Sequence, residues 1–316
     1  MKYRKLGNSG IVVSEIAFGA WGIGGSSGGH DAYGITDDKV SLRALHAALE
    51  AGITLYDTSD LYGMGHSENL IGQAFRQKRD QVIIATKGGM LNPSGEQDFS
   101  TSYLRGALER SLTRLSSDYI DLYQLHSPPP EELEQNSTLM LFLESLVQEG
   151  KVRVVGVSSR SPQEAVLLIE QFGFSSVQIN LNLLDWRAID CGLLKRCQEL
   201  GIAVIARTPL CFGFLTGRYG WDDISGPQDH RARWPREKVE LWVAAAARYA
   251  EVIHSGGVQT AAQKALRFCL SFDALSAVIP GILTDEQVHE NALASSLGVL
   301  TPEELSQVER IYRESC

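Results

Sequence analysis

Asp57, Tyr62, Lys87 and His126 are four ionisable residues at or just past the ends of three successive strand-like runs. Asp57 closes Ile53-Thr54-Leu55-Tyr56-Asp57, and Tyr62 follows in the next loop. Lys87 closes Val82-Ile83-Ile84-Ala85-Thr86-Lys87, and His126 closes Tyr119-Ile120-Asp121-Leu122-Tyr123-Gln124-Leu125-His126. In a barrel of parallel strands such ends gather at one rim, where side chains distant in sequence share a pocket. Their chemistry suits moving a proton onto a carbonyl oxygen. Reduction of an aldehyde or ketone by a nicotinamide needs hydride at carbon and a proton at oxygen. A phenol, with a reference pKa of about 10, is a weak acid at neutral pH, and a neighbouring ammonium favours its phenolate and eases proton transfer. Asp57 would keep Lys87 charged and aimed, and His126 would donate a hydrogen bond to the substrate oxygen.

Each residue alone has a plainer reading. A strand-end aspartate is often a helix cap, a Tyr-Gly pair in a loop is usually packing, a lone lysine is usually surface, and a lone histidine can be a satisfied core residue. Their joint occurrence at consecutive strand ends is what makes coincidence improbable.

The 316-residue chain suits one α/β barrel with insertions, and a single domain spanning 1–316 is expected. At 44% hydrophobic and 21% charged residues it can bury a substantial core. A formal charge of −9 argues against nucleic acid as a partner. The five cysteines, 191, 197, 211, 269 and 316, are odd in number and form no CxxC pair, which fits reduced thiols in a cytoplasmic protein. No metal site is expected. The start, Met1-Lys2-Tyr3-Arg4-Lys5-Leu6-Gly7, lacks an apolar stretch of signal-peptide length. No run approaches the roughly 20 apolar residues of a membrane span.

Short β-rich runs alternate with amphipathic segments, the pattern of repeated βα units. A hairpin turning at Gly7-Asn8-Ser9-Gly10 opens the chain. Strands then follow at 15–19, 53–57, 82–87, 119–126, 152–158, 176–180, 202–207 and 276–280. Eight is the number at which side chains just fill a closed parallel barrel, so the expected fold is a (β/α)8 TIM barrel with an N-terminal β-hairpin and long rim loops. Thr36 is the expected cap of a helix with a Leu42, Leu45, Leu49 stripe. Ser100 to Leu115 carries Leu104, Leu108, Leu112 and Leu115 at helical spacing, and Ser161-Pro162-Gln163-Glu164 has a capping-box pattern. Two stretches interrupt the alternation, the glycine-rich Gly22–Gly29, expected to be mobile, and 208–236, with Pro209, Trp221, Pro227, Trp234 and Pro235. Both fall at the catalytic rim, where long loops commonly act as lids. Trp221 and Trp234 suit either an apolar lid or packing against the outer helices.

The sequence resembles the aldo-keto reductase family. Asp57-Thr58-Ser59-Asp60-Leu61-Tyr62-Gly63 is similar to its acid-to-tyrosine signature, continued by Ser67-Glu68-Asn69-Leu70-Ile71-Gly72. Ile84-Ala85-Thr86-Lys87 and Leu122-Tyr123-Gln124-Leu125-His126 match its lysine and histidine strands, and Gly150 to Ser158 its fifth strand. Pro209 to Gly217 resembles the loop over the cofactor pyrophosphate, and Ile279-Pro280-Gly281 with Glu286-Gln287 and Asn291 the segment around the adenosine. The resemblance implies a barrel that binds NADP(H), with NAD(H) as the alternative, and a small-molecule carbonyl or alcohol as substrate. It implies Tyr62 as general acid/base and a substrate pocket lined by Trp21, Tyr62 and His126. Cofactor contacts are implied at Gly19, Ala20, Trp21 and Asp57, and at Ser158, Ser159, Gln178 and Arg207 around the nicotinamide. Thr208, Pro209, Leu210, Gly213, Leu215, Gly217 and Arg218 would cover the pyrophosphate. Pro280, Gly281, Ile282, Leu283, Gln287 and Asn291 would hold the adenosine. Independently of the family, Gly22-Ile23-Gly24-Gly25-Ser26-Ser27 is not the dinucleotide fingerprint, because it ends in serine and no helix opens inside it.

The chain departs from that pattern at three positions. Ser159 replaces the common asparagine, keeping a hydroxyl but losing a carboxamide. Arg207 stands where many members place a stacking tyrosine, and a planar guanidinium can also stack. Leu283 replaces an arginine that grips the 2′-phosphate, and no Lys or Arg occurs from Ile279 to Asn291, so weakened discrimination against NAD is expected. Two competing functions share these residues. Lys87 could be the Schiff-base nucleophile of a barrel lyase, or the chain could be a non-catalytic cofactor-sensing subunit.

Overall fold

The computed structural model describes residues 1–25, 32–224 and 229–315. Residues Ser26–Gly29 of the glycine-rich stretch, Pro227 and Cys316 lie outside them. The chain opens with the antiparallel hairpin β1 (Tyr3–Lys5) and β2 (Val12–Ser14), paired Tyr3 to Ser14. Eight parallel strands follow: β3 (Phe18–Gly19), β4 (Leu55–Asp57), β5 (Ile83–Gly88), β6 (Ile120–His126), β7 (Val152–Ser158), β8 (Ser176–Asn180), β9 (Ala203–Arg207) and β10 (Leu275–Ile279). They pair in chain order, and single bridges from Ile16 to Val278 and from Gly19 to Gly281 join the two ends. The expected eight-stranded barrel is therefore present. Its first strand is shorter than the run 15–19, because Ile16 and Phe18–Gly19 pair to different neighbours.

Side chains alternate between two faces of each strand, and the two faces carry different cores. Outward residues such as Phe18, Tyr56, Ile84, Tyr123, Val157, Val177 and Val278 pack under the helices. Leu55, Ala85, Leu122, Val154, Ala203, Ile205 and Ala277 meet inside the barrel, together with Leu6, Ile11 and Val13 of the hairpin segment. The hairpin thus plugs the end at which the strands begin. Gly7 is needed there: its φ is +54°, and a Cβ would lie 2.6 Å from the amide nitrogen of Ala203.

Moving along each inward column toward the strand ends, the apolar residues give way to polar ones. Leu55 leads to Asp57, Ala85 to Lys87, Leu122 to Gln124 and His126, Val154 to Ser158, and Ile205 to Arg207. A closed apolar bottom and a polar top follow directly from the order of residues in these columns. The site must lie at the top.

The helices between strands form where their periodicity indicates. Ser100 caps Thr101–Arg114, whose Leu104, Leu108 and Leu112 are buried, as is Leu115 just beyond it. Ser161 caps Pro162–Phe172, with Oγ accepting from Glu164 N at 3.2 Å. The first long helix, Asp38–Glu50, is capped by Asp37 rather than Thr36, because the Asp37 carboxylate reaches Lys39 N at 2.7 Å. Its buried face is Ser41, Ala44, Leu45 and Ala48, with Leu42 and Leu49 only flanking it. Trp234 packs on Phe212 at 4.5 Å and on Trp242 of helix Arg236–Val252 at 5.3 Å, so it joins the rim loop to an outer helix. Trp221 is likewise packed against the outer core. Among the described residues no helix is long and apolar enough to cross a membrane.

Candidate active site

Asp57 and His126 end β4 and β6, Lys87 is the last residue but one of β5, and Tyr62 begins a tight turn, Tyr62–Gly65, five residues past β4. The Lys87 ammonium is fully buried and donates to Asp57 Oδ1 at 2.6 Å, to Thr58 O at 2.8 Å and to Tyr62 Oη at 3.3 Å. Burial penalises this charge, but the Asp57 carboxylate and the Tyr62 oxygen outweigh the penalty and hold its pKa above the ordinary lysine value. Asp57 is fixed from its other side: Gln178 Nε2 donates to Oδ2 at 2.7 Å and Gln124 Nε2 at 3.2 Å. The ring of His126 stands edge-on to that of Tyr62, centroids 6.2 Å apart. Burial and the cations Lys87, Arg207 and Arg160 push the His126 pKa well below the usual histidine range, so the imidazole is neutral at pH 7. All four residues come together.

The turn bearing Tyr62 is held by close contact between two loops. Gly63 has φ +58°, and a Cβ there would sit 2.2 Å from Gly24 O. Gly63→Ala therefore forces the Tyr62 turn away from the Trp21 loop. A displacement of about 1 Å can cost roughly 10²-fold in rate, so kcat should fall by about that factor while thermal denaturation still shows a folded protein. A kcat within about twofold of the parent would mean that this contact does not position Tyr62.

Beside these groups runs a cleft of about 750 Å³ that extends to helix Asp285–Leu297. Of the residues expected at the cofactor, Gly19, Ala20, Trp21, Asp57, Gln178, Arg207, Thr208, Pro209, Leu210 and Gly213 line it. So do Arg218, Gly281, Leu283, Gln287 and Asn291. Ser158 lies one hydrogen bond behind, accepting from Arg207 Nη1 at 3.3 Å. Leu215 and Ile282 are packed in the outer core and Pro280 is buried, so these three do not line the cleft; Gly217 is exposed outside it. The Ser159 hydroxyl donates to Ser161 O at 2.9 Å, which commits it to the following helix cap instead of the cleft. Among the described residues Arg207 has no carboxylate partner: it donates to Asn180 Oδ1 at 2.8 Å and to Ser159 O at 2.9 Å. Its guanidinium is held by neutral acceptors at the barrel mouth, not in the ion pair that a rim arginine would suggest.

Sequence reasoning alone missed Gln124, Asn180, Ser59, Tyr33, Phe212 and Glu290. Period-two alternation back from His126 and forward from Gln178 would have found Gln124 and Asn180. No local signal marks Tyr33, which reaches the cleft through a ring contact with Trp21 at 5.2 Å.

The donor set suits a nicotinamide. At the ends of adjacent strands, Ser158, Gln178 and Asn180 carry hydroxyl and amide groups of the kind that pair with a carboxamide, and Gln178 is bonded to the Asp57 that holds Lys87. Gln178 gives its N–H to Asp57 and keeps a carbonyl oxygen to accept from one. An eight-stranded barrel with a buried Asp57–Lys87 pair bonded to the half-buried Tyr62 beside this cleft suits carbonyl chemistry next to a nicotinamide. Comparison with known proteins agrees. The model of the Aldo/keto reductase family matches residues 15–313. An uncharacterised oxidoreductase of Bacillus subtilis is 33% identical, covering 98% of this chain and 96% of its own. The NADH-specific methylglyoxal reductase of Escherichia coli is 30% identical, covering 95% of each chain. The solved glycerol dehydrogenase of Gluconobacter oxydans superposes with a TM-score of 0.82 at 29% identity, over 99% of this chain and 95% of its own. This chain belongs to the aldo/keto reductase family and is an NAD(P)-dependent oxidoreductase.

Proposed function

We propose that this enzyme reduces small, hydrophilic aldehydes or ketones to alcohols, with Tyr62 as the proton donor. The observation that carries the reading is the Lys87 ammonium, buried between Asp57 at 2.6 Å and the Tyr62 hydroxyl at 3.3 Å. A reduced nicotinamide held in the cleft by residues such as Gln178, Arg207 and Asn291 would supply hydride to the carbonyl carbon. The chain's own residues handle the oxygen. His126 N–H orients it, Tyr62 delivers its proton as negative charge develops, and the nearby ammonium stabilises the phenolate left behind. Asp57 and its two glutamines keep that ammonium charged and immobile, so little reorganisation accompanies the transfer. A Schiff-base role for Lys87 is disfavoured, since the nucleophile must be a neutral amine and Asp57 stabilises the opposite form. A sensing subunit has no need of a proton donor held in this way. The preference for small, oxygen-rich substrates is supported by the relatives that act on methylglyoxal and glycerol. Loss of reduced-nicotinamide absorbance with methylglyoxal, glyceraldehyde and dihydroxyacetone, against long-chain aldehydes, tests it. Turnover of none of them at saturating cofactor overturns it.

Cofactor choice should be relaxed. Arg218 lines the cleft and is paired with Glu290 Oε1 at 2.9 Å, on the same helix as Gln287. Glu290 thus neutralises a cation available to a 2′-phosphate. The ratio of kcat/KM for NADPH over NADH should lie within about tenfold of unity, a difference of about 1.4 kcal/mol, and Glu290→Gln should raise it. A ratio in the thousands (about 4 kcal/mol) would show that Arg218 grips the phosphate despite its partner.

A further inference from the structure

The hydroxyl of Ser59 connects His126 to a second acid that the reaction described above does not use. Ser59 Oγ lies 3.2 Å from His126 Nδ1 and 3.2 Å from Asp60 Oδ1, and it accepts from Leu61 N at 3.2 Å. A serine hydroxyl has one proton and two lone pairs. Leu61 occupies one lone pair. One proton and one lone pair remain to serve two neighbours, so the state of one neighbour dictates the state of the other.

When Asp60 is ionised it can only accept, and a hydrogen bond to a carboxylate is roughly twice as strong as a neutral one. Ser59 then gives its proton to Asp60 and must accept from His126 Nδ1–H, which leaves Nε2 without a proton. When Asp60 is protonated it donates to Ser59, Ser59 donates to Nδ1, and the imidazole proton moves to Nε2. Since Nδ1 faces Ser59, Nε2 is the nitrogen left for a substrate oxygen, and only its protonated form can donate there.

We propose that Asp60 is a positioning residue whose protonation, relayed through Ser59, selects the His126 tautomer that can orient a carbonyl. The proposal rests on His126 as the hydrogen-bond donor. The setting favours a protonated Asp60. Burial and the Glu68 carboxylate push its pKa up to about 7, while Ser59, Arg114 and the Leu61 N–H act in the opposite sense. Arg114 is itself tied to Glu68 at 2.6 Å. The other groups facing this pocket are Tyr103 and Tyr123, both of which feel the Asp60 charge, with Arg110 beside them; Lys87, Arg207, Arg160 and Tyr62 face His126. Neither Tyr103 nor Tyr123 titrates near neutrality, because burial raises both pKa values. Asp60 keeps partial exposure, so it can exchange protons with solvent.

The expected behaviour is a switch against pH. Below about pH 7 the enzyme holds His126 as the Nε2–H form; above it, the Nδ1–H form grows and kcat/KM for reduction falls about tenfold per pH unit beyond the midpoint. The test is nitrogen NMR of the isotope-labelled histidines, assigned by the loss of one signal in His126→Gln, together with a pH profile of reduction. In Asp60→Asn, which keeps an N–H for Ser59 and cannot ionise, both the tautomer exchange and this limb of the profile should vanish. Ser59→Ala should make the tautomer independent of pH with Asp60 intact. A wild-type His126 that keeps one tautomer across the range, or an Asp60→Asn enzyme that still switches, overturns the proposal. The NMR readout needs no turnover. A switch without carbonyl reduction would overturn the functional reading alone, and reduction without a switch would overturn the relay alone.

Discussion

Tyr62→Phe should lower kcat for carbonyl reduction by roughly 10²–10⁴-fold, the range over which a positioned general acid accelerates a reaction. The substitution removes one oxygen and little volume. The ring keeps its edge-on contact with His126 and its position near the Lys87 ammonium, 4.9 Å from the ring centroid. Lys87 retains Asp57 and Thr58 O as acceptors, so the buried charge stays satisfied and the fold should be preserved. Nicotinamide affinity, measured by fluorescence titration, should change little, since the cleft is lined mostly by other residues. A loss confined to kcat with an unchanged Kd would mark an interaction made only in the transition state. Near-parental reduction of a good substrate by this variant would remove Tyr62 from the chemistry.

Lys87→Met should affect both rate and stability. Methionine fills the volume, but Asp57 Oδ1 loses its partner while Oδ2 keeps only the Gln178 and Gln124 N–H groups. Removing one member of a buried pair leaves an uncompensated charge and costs about 3–5 kcal/mol. The sign against pH follows from the raised lysine pKa. The stabilisation that Lys87 provides is fully present below the unfolded lysine pKa of about 10.4 and is lost only as pH rises through the higher folded value. The gap in stability between parent and variant should therefore be wide at neutral pH and narrow in strong alkali. Asp57→Asn combined with Lys87→Met should recover stability by removing the stranded charge, but not activity. Urea denaturation of the parent and the two variants checks this, and equal stability of Lys87→Met and the double variant would mean that Asp57 is compensated elsewhere.

Much of this arrangement is legible in the chain itself. The β-rich runs at 152–158 and 176–180 are strands over those same residues, because alternation and turn signals act locally. The four ionisable residues are recognisable because strand ends in a parallel barrel converge whatever fills the loops. Caps are less secure: Thr36 and Asp37 are adjacent residues of similar capping chemistry, and only the final backbone angle decides between their side chains.

Three features required the folded chain. Asp57 acquires Gln124 and Gln178 as partners from strands 67 and 121 residues away, a pairing set by barrel register and not by any local pattern. Arg207 and Ser159 read alike as cofactor contacts in one dimension. In space, one guanidinium is held at the barrel mouth and one hydroxyl turns to a helix cap. The Asp60–Ser59–His126 chain depends on hydrogen-bond valence, which becomes countable only once distances are known. The alternation of side chains thus indicated the architecture, while the four strand-end residues and the motifs that resemble the family indicated the reaction class, since all of these are read over short stretches of chain. Charge states and partners belong to the tertiary structure, since burial and a few ångströms of separation govern them.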